Sequence, residues 1–148
     1  MNNKPFHILL ADDDESDRLL FTEDFLELKI KTIAHTVNNG IELMEWLNMK
    51  NIHLPHLLFL DLNMPRKNGL QCLKEIRSNK KLKDISIAIY STSDSEKDME
   101  ETFLNGANVY ITKPNDFELL KQLLEKAVMA AFQYQGKTMK RENFLLRI

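Results

Sequence analysis

Leu57-Leu58-Phe59-Leu60-Asp61 is an unbroken apolar run that ends on a carboxylate. A strand with one wet face alternates apolar and polar residues. This run does not, so it reads as a strand buried on both faces of a parallel sheet. Four more short apolar runs share the chain with it, at residues 6–11, 33–37, 85–90 and 108–112. Between and after them lie stretches with apolar residues at threes and fours, the helical spacing. These are residues 17–28, 41–47, 70–76, 99–104 and 117–132. Gly69 and the polar cluster from Ser91 to Ser95 mark two of the strand-to-helix junctions.

The order is therefore βαβαβαβαβα. Such alternation requires right-handed crossovers and helices on both faces of a parallel sheet. In a fold of this kind chemistry belongs outside the carboxyl ends of the strands. Those ends carry Asp12-Asp13-Asp14, Asp61, Ser91-Thr92-Ser93 and Lys113-Pro114. Two carboxylates about 4 Å apart repel by roughly 4 kcal/mol at an effective dielectric near 20. Three cannot stay ionised together unless a pKa rises or a cation binds. All-oxygen ligands with room for water favour Mg2+. A carboxylate nucleophile, a hard cation, a lysine and a hydroxyl make a phosphoryl-transfer site. Taken singly, each piece is ordinary: an acidic run at a helix start, an N-cap cluster, a turn at Lys-Pro. Their joint placement at strand ends is what points to a site.

The bulk numbers set bounds. The chain has 148 residues, about one domain's worth, and a net charge of −2 that gives no reason to expect nucleic acid. One cysteine, Cys72, excludes an internal disulfide framework and fits a cytoplasmic protein. No apolar run approaches the roughly 20 residues of a membrane span, and no signal peptide is apparent. Composition shifts after Phe132. Residues 1–132 read as the domain, and residues 133–148 as a basic extension that either continues the last helix or packs on a partner. Cys72 and Trp46 read as packing residues, and His53 and His56 as loop residues.

The motifs Ile8-Leu9-Leu10-Ala11-Asp12-Asp13, Leu60-Asp61-Leu62-Asn63-Met64-Pro65, Tyr90-Ser91-Thr92 and Gly106-Ala107-Asn108-Val109-Tyr110-Ile111-Thr112-Lys113-Pro114, together with Gly69, resemble response-regulator receiver domains over residues 6–132. The proline-bearing loop before the third strand makes the chain similar to the small stand-alone regulators that serve bacterial phytochromes. The resemblance implies a doubly wound (βα)5 flavodoxin-like three-layer sandwich with parallel strand order 2-1-3-4-5. It implies Asp61 as phosphoacceptor, with Lys113 and Ser91 contacting the phosphoryl group. It implies Mg2+, with Mn2+ as a substitute, on Asp12, Asp13, Asp61 and the backbone carbonyl of Asn63. Tyr110 becomes the switch aromatic, Asn63 and Ser93 the positions that tune phosphoryl lifetime, and the Lys113–Pro114 bond cis. The implied partner is a sensor histidine kinase or histidine phosphotransfer protein. The output is a protein contact rather than DNA, with a homodimer through the fourth helix, fifth strand and fifth helix, or through the tail, as one form of it. Self-phosphorylation and autodephosphorylation are then the only chemistry. Two other readings compete. One is a receiver-like adaptor that works without phosphorylation. The other is a small aspartyl-phosphate hydrolase of the haloacid-dehalogenase kind, which needs an acid where Asn63 stands.

Overall fold

The computed structural model describes residues 4–24, 30–133 and 145–146. Strands β1 (Phe6–Ala11), β2 (Thr32–Val37), β3 (Leu57–Leu60), β4 (Ser86–Ser91) and β5 (Val109–Thr112) alternate with helices α1 (Glu15–Asp24), α2 (Gly40–Leu47), α3 (Gly69–Ser78), α4 (Glu96–Leu104) and α5 (Phe117–Gln133). A short sixth strand, β6 (Leu145–Leu146), follows α5. The sheet is parallel throughout, in order β2-β1-β3-β4-β5-β6. This is the expected flavodoxin-like order with one strand added at the β5 edge, where Tyr110 pairs with Leu145 and Ile111 with Leu146. The helical reading of residues 25–28 and most of the tail reading lie outside the described residues. In the tail, Leu145 and Leu146 are strand, not helix.

Successive strand residues point to opposite faces, and both faces are covered, so the apolar runs need no alternation. Leu9, Ala11, Leu58, Leu60, Ile87 and Ile89 pack with α2 and α3 through residues such as Leu43, Leu47, Leu73 and Ile76. Ile8, Leu10, Leu57, Phe59, Ala88 and Tyr90 pack on the other side with Phe21 of α1 and with Leu120, Leu124 and Val128 of α5. Local chemistry starts the helices. Asn39 accepts from the Glu42 amide at the head of α2, and Ser95 accepts from the Asp98 amide at α4. Asn68 and Gln71 form a reciprocal capping box at α3. Every described peptide bond is trans, including Lys113–Pro114, where the resemblance implies cis. Lys113 still donates its backbone N–H to the Ser91 carbonyl at 2.8 Å, which holds the end of β5 against β4.

At the amino ends of the strands the histidines are structural. The His7 amide donates to Nδ1 of His56 at 2.9 Å, while the His56 amide donates to the His7 carbonyl at 2.8 Å. The His56 ring stacks on Phe6 and the His7 ring on His53, with centroids 4.8 and 3.9 Å apart. Burial, then the neighbouring histidines, lowers the pKa of both His7 and His56 below the ordinary 6.5. A depressed histidine favours the fold when neutral. That stability is full above about pH 6.5 and is lost as pH falls through the folded values. His56→Asn keeps an acceptor for the His7 amide but does not titrate. Its urea midpoint should therefore fall less than the wild-type midpoint between about pH 7.5 and pH 5.5. Equal falls would show that His56 takes its proton with no cost to the fold.

Candidate functional site

The carboxyl ends of β1, β3, β4 and β5 converge on one acidic pocket. Asp12 follows β1 and is fully buried; its amide donates to the Val37 carbonyl at 3.1 Å. Asp61 follows β3, is 6% exposed, and donates its amide to the Ala11 carbonyl at 3.0 Å. Asp13 is exposed at the rim. Asp12, Asp13 and Asp61 each present a carboxylate oxygen, and these atoms lie within 4.8 Å of one another. Two short local bonds orient the buried pair: the Asp14 amide donates to Asp12 Oδ1 at 3.0 Å and the Asn63 amide to Asp61 Oδ1 at 3.1 Å. The Asn63 side chain is exposed. Gly69, at the start of α3, sits so close under the Asp61 carbonyl that any Cβ there would collide with backbone.

Lys113, just after β5, bridges the acids. Its Nζ lies 3.0 Å from Asp12 Oδ2, 2.9 Å from Asp17 Oδ2 and 3.9 Å from Asp61 Oδ2. One ammonium cannot balance the cluster. Burial raises the Asp12 carboxyl from the ordinary 3.8 to about 7, against the pull of the Asp14 amide and Lys113. Burial also raises Asp61, again opposed by Lys113. The Lys113 ammonium is held above its ordinary value, because Asp12 and Asp61 outweigh its own burial. An excess of buried negative charge on all-oxygen donors is the condition that a hard divalent cation relieves, so these residues fit one.

The hydroxyl and the aromatic stand beside this pocket. Ser91 ends β4, one residue beyond the expected strand, and is fully buried. Its Oγ accepts from the Ser93 amide at 3.1 Å. Tyr110 is 1% exposed, and its hydroxyl donates to the Ser93 carbonyl at 2.9 Å, so the ring already points inward. Ser93 Oγ donates to Asp98 at 2.6 Å, linking this loop to α4. All the residues expected to form a site are thus drawn to one edge of the sheet, Tyr110 through Ser93.

Two residues near the lysine escaped the sequence reading. Asp17 entered only as the first residue of a helical stretch, yet it carries the shortest contact of the Lys113 ammonium. Tyr90 looked like a strand residue, yet the Lys113 ammonium stands 4.3 Å from its ring centroid. Among the described residues the Tyr90 hydroxyl is a buried side-chain group without a hydrogen-bond partner. Cys72 is the packing residue expected: buried, its thiol pushed up to about 11 by burial, with Sγ 3.7 Å from the Gly40 carbonyl.

Comparison with known proteins agrees with this geometry. The model of the response regulator receiver domain matches residues 8–125. The response regulator Rcp1 of Synechocystis is 33% identical over 131 residues, covering 84% of this chain and 87% of its own. The structure of the phosphorylated cyanobacterial phytochrome response regulator RcpA superposes with a TM-score of 0.78 at 30% identity, covering 93% of this chain and 98% of that one. The Mn2+-bound form of Rcp1 superposes with a TM-score of 0.79 at 28% identity, covering 92% and 99%. No described helix is long and apolar enough to cross a membrane. With its five-stranded 2-1-3-4-5 core and its acidic pocket at the strand ends, the chain belongs to the response regulator receiver domain family.

Proposed function

We propose that this chain is a two-component response regulator that takes a phosphoryl group onto Asp61 from a phosphohistidine and signals by a changed protein contact. The observation that carries this reading is the placement of Lys113 Nζ 3.9 Å from Asp61 in a pocket shared with Asp12 and Asp13. In the transfer, an ionised Asp61 oxygen attacks phosphorus in line, the P–N bond to the donor histidine breaks, and the nitrogen keeps the electron pair. Lys113 neutralises charge on the transferred oxygens. Asp12, Asp13, Asp61 and the Asn63 carbonyl would hold Mg2+, or Mn2+ in its place. When bound, the cation supplies charge neutralisation that keeps Asp61 ionised and stabilises the transferred oxygens.

The phosphorylated side chain offers Ser91 a charge-assisted hydrogen bond. Taking it moves Ser91 Oγ off the Ser93 amide, and Ser93 is the residue that holds both Tyr110 and Asp98 of α4. A local charge change therefore reaches the face formed by α4, β5 and α5. That face exposes Leu104 and Phe117, and the β5 edge beside it is paired with β6, so Leu145 and Leu146 lie on the signalling side of the domain. A sensor histidine kinase or a phosphotransfer protein is the proposed donor, and an unidentified protein or a second copy the receiver of the signal.

The test is chemical. Incubation with Mg2+ and acetyl phosphate should add one phosphoryl mass that hydroxylamine removes. Asp61→Asn should abolish the gain. A protein that takes no label, or a gain that survives the substitution, would overturn the reading, and an unlabelled but folded protein would favour the adaptor.

A further inference from the structure

Tyr90 lies on β4 one residue before Ser91, with its side chain on the α1–α5 side of the sheet. Its neighbours on the strand, Ile87, Ala88 and Ile89, are aliphatic. Phe59 meets its ring edge-on at 6.3 Å. An aliphatic side chain would also fill this core, and would not bury a phenol whose hydroxyl has no hydrogen-bond partner. What the ring face does touch is the Lys113 ammonium, 4.3 Å from its centroid.

The other groups around that ammonium are Asp12, Asp17 and Asp61. On the phosphoryl-accepting reading, Asp12 and Asp61 change their charge partners during the reaction. The ring does not, because it neither binds a cation by a carboxylate nor accepts the phosphoryl group. A lysine on a flexible four-carbon stem gives up rotamer freedom whenever its ammonium is held in one place. Reaching a defined place beside Asp61 requires something to hold it there. A desolvated aromatic face attracts an ammonium without competing for its three N–H donors, two of which are already used on Asp12 and Asp17.

We propose that Tyr90 is a positioning residue for phosphoryl transfer: its ring is the floor that keeps the Lys113 ammonium beside Asp61. The inference rests on the phosphoryl-accepting reading of Asp61 and adds to it the reason why the lysine is in place before the donor arrives.

The test uses the full chain with Mg2+ and acetyl phosphate, and measures the initial rate of labelling. Tyr90→Leu and Tyr90→Met, which remove the ring but keep an apolar filler, should slow labelling roughly three- to tenfold. Tyr90→Phe, which keeps the ring, should restore the rate to within about twofold of wild type. Combined with Lys113→Met, the loss of the ring should cost nothing further, since its only route to the reaction is the lysine. A merely structural role would instead slow the double variant below Lys113→Met alone. A second readout needs no variant: ring current should shift the Lys113 ε-methylene protons upfield in the wild-type NMR spectrum, before and after beryllofluoride addition. Labelling of Tyr90→Leu and Tyr90→Met at the wild-type rate, additive losses with Lys113→Met, or unshifted ε-protons would overturn the proposal. A wild-type protein that takes no label would instead sink the phosphoryl-accepting reading, and with it the role of the ring in transfer, even if the ε-protons are shifted.

Discussion

Arg77→Ala is expected to cost about 3–5 kcal/mol of folding stability, although Arg77 touches nothing in the acidic pocket. The guanidinium leaves the last turn of α3 and makes four hydrogen bonds. Nε donates to the Gly106 carbonyl at 2.9 Å, Nη1 to the Lys83 and Ile85 carbonyls at 2.8 and 2.7 Å, and Nη2 to Asn108 Oδ1 at 3.0 Å. The same Asn108 oxygen accepts from the Ile87 amide at 2.7 Å. One side chain thus ties α3 to the entry of β4 and to the turn before β5. Gly106 makes this possible: it has φ of +98°, and a Cβ there would press on the Arg77 side chain. Alanine would leave part-buried carbonyls without a donor, the costly direction of the change. A domain of this size has on the order of 10 kcal/mol to lose, so urea unfolding should show a large shift. Arg77→Lys should recover less than half, because an ammonium cannot present the planar fork. A loss under about 1 kcal/mol would mean that water replaces the guanidinium at these carbonyls.

The contrast between Arg77 and Leu57–Leu60 shows what a sequence carries openly. The central strand β3 was legible because burial on both faces leaves no polar residue in it, a local pattern, and the neighbouring runs β1 and β4 are nearly as apolar. Two helix starts were legible because Gly69 and the Ser91–Ser95 cluster stand at the junctions and a cap such as Ser95 acts within three residues. The gathering of the candidate residues was legible because parallel topology sends all strand ends to one edge, so residue type and position sufficed to expect it. Arg77, Asp17 and Tyr90 were not legible, since each acts through reach across elements. Lys113 is 96 residues from Asp17, and nothing in either neighbourhood announces their 2.9 Å contact. The bond from the His7 amide to His56 spans 49 residues and made an apparent loop residue structural. The pairing of Leu145 and Leu146 with β5 was equally hidden, because a two-residue strand has no period to read.

The same limit applies to charge. The sequence places three aspartates together, but only the geometry says which of them carries the penalty. Asp12 is that residue, fully buried, with its carboxyl raised from 3.8 to about 7 chiefly by burial. A raised carboxyl binds its proton more tightly in the fold than in the unfolded chain. Its favourable share of stability is therefore complete below about pH 4 and is lost as pH rises through about 7. This is opposite in sign to the histidines at the other end of the sheet. The rise from 3.8 to about 7 sets a ceiling of ~4 kcal/mol, and screening through the pocket mouth lowers it to roughly 1–3 kcal/mol. Asp12→Asn removes the titrating group. In EDTA at about pH 8 the variant should be more stable than wild type by that amount, and the advantage should vanish near pH 4. Adding Mg2+ should reverse the order: it stabilises whichever folded protein binds it, by mass action, and Asp12→Asn lacks a buried carboxylate of the proposed cation site. Labelling of Asp61 by acetyl phosphate should fall about a hundredfold in the variant. Thermal melts in EDTA and in Mg2+ read both halves. If Asp12→Asn is no more stable than wild type at high pH, or if Mg2+ raises both melting temperatures equally, Asp12 is not the residue whose buried charge the cation relieves. If both halves hold, the pocket gives up stability in the metal-free protein to keep a nucleophile and a cation site ready at the same sheet edge.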